Sequence, residues 1–86
     1  MSKFPTTFRE AVATILSEMS GRDKMLVRNT RKEDLIKFDL SWGQEIRNRC
    51  GLWKGNDLLI KDAKLNHPDS VSTMIMEAVW EKLQNK

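Results

Sequence analysis

The residues with the widest chemical range in this 86-residue chain share one stretch, Ile46-Arg47-Asn48-Arg49-Cys50-Gly51-Leu52-Trp53-Lys54-Gly55-Asn56. Arginine brings a planar, five-donor fork suited to phosphate or carboxylate. A neighbouring tryptophan can stack on a base or anchor a protein contact. A second basic group, Arg22, Lys24, Arg28, Arg31 and Lys32, is diluted by Asp23. The candidate binding residues are therefore Arg47, Asn48, Arg49, Trp53, Lys54 and Asn56, joined by Arg28 and Arg31. Each also has a plainer reading. Arg47 and Arg49 stand about 200° apart on a helix, so they share a ligand only with help from the turn. Trp53 could close the bottom of the core, and the basic residues could be solvated faces. For Asn48 the plainer reading is preferred: a hydrogen-bonder that holds the elbow between residues 46 and 56.

Other chemistries find less support. Cys50 and His67 are the only thiol and imidazole, whereas a structural zinc site wants four such ligands. Cys50 falls at a helix C-terminus, where the dipole raises a thiol's pKa and quiets it. It reads as a small buried hydrophobe. His67, ahead of Pro68, reads as a cap or surface residue. Glu33-Asp34 and Glu77/Glu81 read as helix-start and solvent-face carboxylates. Gly51 and Gly55 lack the spacing of a nucleotide fingerprint, and Trp42 and Trp80 read as core. No metal or cofactor is implied, and no enzyme is expected.

Positioning these residues falls to a short chain. Its length suits one domain over residues 1–86 with a modest core. Hydrophobic content of 40% and charged content of 31% suit a folded globule. A net charge of +3 allows anionic partners without demanding them. One cysteine suits a reducing compartment. No signal peptide and no apolar run of about 20 residues is apparent, so a cytoplasmic setting without membrane contact is expected.

Apolar spacing predicts helices throughout. Thr7 with Glu10 makes a capping box ahead of the stripe Phe8, Ala11, Val12, Ile15, Leu16 and Met19, with Gly21 as the stop. Asp23 to Asn29 fits a short helix. Thr30 with Glu33 repeats the cap spacing and opens the next helix, which either runs unbroken from Arg31 to Cys50 or, as Gly43 and the cap-like Ser41/Gln44 spacing favour, breaks near Asp39–Ser41 ahead of a helix ending at Gly51. Leu52 would then fold back on Ile46. Trp53-Lys54-Gly55 makes a turn, and Asn56 caps a helix containing Leu58, Leu59 and Ile60. Asp62 to Asn66 is a polar connector. His67-Pro68-Asp69 starts the last helix, whose inward stripe is Val71, Met74, Ile75, Ala78, Val79 and Leu83, widened by Met76 and Trp80. Strand patterns are absent. The expected fold is all-α, a compact bundle of four to six mostly short helices.

The elbow carries a resemblance. Ile46, Arg47, Asn48, Gly51, Leu52, Trp53, Gly55 and Asn56 resemble the Ile-Arg-Asn-x-x-Gly-Leu-Trp-x-Gly-Asn run of a small bacterial and phage domain family of uncharacterised function. The likeness extends forward to Pro5 and Glu10-Ala11-Val12, and back to His67-Pro68-Asp69, Trp80 and Leu83. It implies an all-helical fold and a prokaryotic or phage setting. It brings no activity and no catalytic residues. Many members have histidine where this chain has Asp39, so no role transfers there.

Three functions are expected, in order of support. The first is a non-enzymatic modulator that engages a protein partner through the Arg47–Asn56 elbow and inhibits a host system. The second is a binder or sponge for a nucleotide or other anionic small molecule, stacked on tryptophan. The third is a nucleic-acid-binding domain with a helix-turn-helix-like arrangement around residues 22–50, marked by steep salt dependence. A small, Met-rich domain could also complete its core as a homodimer.

Overall fold

The computed structural model describes residues 4–52, 56–64 and 67–84, apart from the side chains of Asp39, Asp57, Pro68 and Asp69. All regular structure among the described residues is helical. In order it comprises α1 (Phe8–Glu18), α2 (Gly21–Arg28), a 3-10 segment (Lys32–Phe38), a π turn (Asp39–Gly43), α3 (Gln44–Arg49), α4 (Asp57–Asp62) and α5 (Pro68–Gln84). The all-α class expected from the apolar spacing is the observed one. The expected turn at Trp53-Lys54-Gly55 lies outside the described residues, as do positions 65 and 66.

Helix α5 is the axis on which α1, α2 and α3 pack. Val71, Ser72, Ile75, Met76 and Val79 are buried. At 100° per residue they form one continuous wedge. Met74 points about 130° from the centre of that wedge. It is 40% exposed rather than part of the inward stripe, and Ser72 lies inside instead. Trp80 is half-buried, and its indole N–H donates to the Thr30 carbonyl at 2.7 Å. Gln84 donates to the Arg28 carbonyl at 2.8 Å. The far end of α5 thus satisfies carbonyls that the end of α2 leaves open.

Helix α1 begins as its capping pattern predicts. The Thr7 hydroxyl accepts from the Glu10 N–H at 3.1 Å, while the Glu10 carboxylate reaches back one residue further, to the Thr6 N–H at 3.2 Å. Ala11, Val12 and Ile15 are its buried face. Its end differs from expectation. Met19 turns extended (φ −76°, ψ 138°), Ser20 caps α2 by accepting from Asp23 N–H, and Gly21 is the first residue of α2 rather than a stop. An extended residue followed by a hydroxyl cap makes the corner without a left-handed residue. Thr30 is also reassigned. Its hydroxyl donates to the Leu26 carbonyl at 2.7 Å, closing α2 instead of opening the 3-10 segment.

Between Lys32 and Arg49 there is neither a clean break nor a uniform helix. The 3-10 segment is overwound relative to an α-helix and the π turn is underwound. Ser41 does not cap Gln44; its hydroxyl donates back to the Phe38 carbonyl at 3.4 Å. Across the π turn and α3, Phe38, Trp42, Glu45 and Arg49 keep to one face.

Candidate functional site

The elbow is built first from backbone. Helix α3 ends at Cys50 (φ −90°, ψ 0°), and Gly51 takes φ 68°, the left-handed conformation that glycine adopts cheaply. The Gly51 N–H donates to the Asn48 carbonyl at 3.2 Å. A Cβ on Gly51 would overlap the Phe4 ring, which lies directly over it. Ile46, Cys50 and Leu52 are buried in the core cluster.

Asn56, Arg47 and Arg49 are then taken up by partners within the chain. Asn56 caps α4, its Oδ1 accepting from Leu59 N–H at 3.4 Å, and its Nδ2 donates to the Pro5 and Cys50 carbonyls at 2.7 Å each. Arg47 is 5% exposed. It lies on the inner face of α3, where its Nη1 donates to the Ser72 hydroxyl at 3.0 Å. This corrects the expectation of a surface group, because α3 turns residues 46, 47 and 50 together toward the interior. Arg49 faces out, but its Nε donates to both carboxylate oxygens of Glu18 at 2.8 and 2.9 Å, and its Nη2 lies 2.8 Å from Oε2. Asn48 is exposed, as are Arg28 and Arg31, and Arg31 lies 3.8 Å from Glu33. Trp53 and Lys54 lie outside the described residues. The expected residues that are described are therefore not gathered around one ligand.

A different place is open. A groove of about 360 Å³ runs between the end of α1, the side of α2 and the persistent face of Phe38–Arg49. Its apolar lining comes from Ile15, Met19, Leu26, Val27, Phe38, Trp42 and Ile46. Glu18, Asp23, Ser41, Glu45 and Arg49 supply the polar lining. Three carboxylates against one guanidinium leave a local charge of −2 (−3 + 1). Of the expected binding residues that are described, Arg49 alone lines it. The hydrogen bond from Arg49 holds the Glu18 carboxyl below its ordinary value, and the same bond raises Arg49. One signal for the groove was present in the sequence: Phe38, Trp42, Glu45 and Arg49 recur at spacings of three and four. The expected break at Asp39–Ser41 concealed it.

Cys50 lies just behind this site, fully buried, and burial pushes its thiol up to about 11. The thiol is thus protonated at neutral pH, with burial the main cause. Among the described residues, no three His, Cys, Asp or Glu side chains gather as a metal site requires. No helix among them is long and apolar enough to cross a membrane.

Residues 4–83 match a domain of unknown function, DUF6794. The chain belongs to the DUF6794 family. The match runs from Phe4, over the elbow, to Leu83 near the end of α5, so elbow and groove both lie within the DUF6794 domain. No curated protein and no solved structure matches the chain.

Proposed function

We propose that this protein is a non-enzymatic binding module, and that its groove takes an apolar side chain presented by a partner protein. The observation that carries this reading is that Trp42, half-buried, and Leu26, 56% exposed, line the same open groove. Tryptophan set in a pocket is a frequent anchor of protein contacts. Ser41, the only hydroxyl in the groove lining among the described residues, is bonded to the Phe38 carbonyl. The buried, protonated Cys50 supports a structural role rather than a nucleophilic one. The local charge of −2 disfavours a nucleotide or other anion here, so the sponge reading is the weaker one. The resemblance around Ile46–Asn56 supports a bacterial or phage setting, in which such a module would act by occupying and inhibiting a host component.

Titrating the ¹⁵N-labelled protein with short peptides centred on Leu or Trp, and separately with nucleotides, tests the reading. The expected result is peptide-induced shifts at the Trp42 indole N–H, Leu26 and Glu45, lost in Leu26→Gln. Shifts produced by nucleotides alone, at Arg28 and Arg31, would overturn it.

A further inference from the structure

Resting on that reading, we infer that the partner segment is cationic: an apolar anchor with lysine or arginine on either side. The groove reverses the sign of the molecule. The chain carries +3 overall, yet the side chains lining the groove sum to −2. Within it the charges are unequally used. Glu18 has both oxygens engaged by Arg49. Asp23 on α2 and Glu45 on α3 line the same groove and take part in no ion pair among the described residues. They are carboxylates on two different elements that line one groove together with seven apolar residues.

An incoming lysine or arginine fits this arrangement in two ways. Its aliphatic stem can lie along Leu26 or Trp42 while its charged head reaches Asp23 or Glu45. An arginine can also stack on the Trp42 ring. An acidic segment would meet repulsion from the same carboxylates. The chain's own α2 shows similar chemistry, since Met25 is 66% exposed between Lys24 and Arg28. A second copy is the poorer occupant, because meeting groove to groove would set the like charges of Asp23 and Glu45 against one another.

Three synthetic peptides sharing a central Leu-Trp pair, flanked by Lys/Arg, by Gln or by Glu, decide the matter with the full chain. The Lys/Arg peptide should bind about tenfold more tightly than the Gln peptide at low salt, with that margin shrinking as salt is added. Asp23→Asn combined with Glu45→Gln should erase most of the margin between the Lys/Arg and Gln peptides. Equal affinities, or preference for the Glu peptide, would overturn the cationic assignment while the binding reading stands. So would concentration-dependent shifts of groove resonances without peptide, which mark a second copy as the occupant. Failure of all three peptides to move any groove resonance would remove the binding reading as well.

Discussion

The corner between α3 and α4 and the groove beside α3 treat their side chains in opposite ways. At the corner, Asn56 bonds two carbonyls and an N–H, Arg47 turns inward to Ser72, and Leu52 is buried. In the groove, Asp23 and Glu45 form no ion pair among the described residues, and Leu26 remains more than half exposed. A density of arginine, asparagine and glycine therefore marks the place where this backbone turns hardest. The surface with capacity to spare is spread over five elements, α1, α2, the 3-10 segment, the π turn and α3.

The largest contrast should appear in paired truncations. Leu52→Ala at the corner should cost about 2–5 kcal/mol of unfolding free energy. Leu26→Ala in the groove should stay within about 0.5 kcal/mol by the same urea titration. Comparable losses would erase the distinction. Asn56→Ala comes next, at about 2–3 kcal/mol, since it removes a cap and strands two carbonyls. Asn56→Asp should recover only the cap, because it lacks the Nδ2 donor. Gly51→Ala should cost about 1–2 kcal/mol, combining a left-handed alanine with displacement of Phe4. Lys64 holds the other positive φ among the described residues, 60°, at the end of α4. Lys64→Gly should gain about 0.5–1 kcal/mol there.

The smallest effect belongs to the groove. Glu18 is depressed in the folded chain, so its bridge to Arg49 contributes above the unfolded carboxyl value of about 4.3. That contribution is lost as pH falls through the folded value. The Arg49 Nε–H resonance should shift in that window, while the unfolding midpoint of Glu18→Gln should differ little from wild type at neutral pH.

Much of the fold could be read from local rules. Thr7, Gly51 and Asn56 act as their types suggest, because caps and left-handed stops depend on neighbours within a few residues. The stripe of α1 and most of α5 follow from periodicity. What escaped depended on competition or distance. Gly21 looked like a stop until Ser20 took the corner. Thr30 could cap forwards or backwards, and only the packed structure decides which. Arg47 and Arg49 are two residues apart and alike in chemistry, yet one meets Ser72 and the other Glu18, partners 25 and 31 residues away. The groove was hidden because its walls come from five elements between Ile15 and Arg49, and no single window of sequence contains it.

The lead-in at the front of the chain has a further effect. Phe4 lies on Gly51, the Pro5 carbonyl accepts from Asn56, and the Phe8 N–H donates to Asp62 at 2.6 Å. Helix α4 has six residues, too few to persist by itself. Its amides should therefore exchange with solvent in step with those that open α1, as a single opening unit assembled out of chain order. An affinity handle fused close to Phe4 would disturb that unit first, so the opposite terminus is the better anchor for peptide titrations and unfolding measurements.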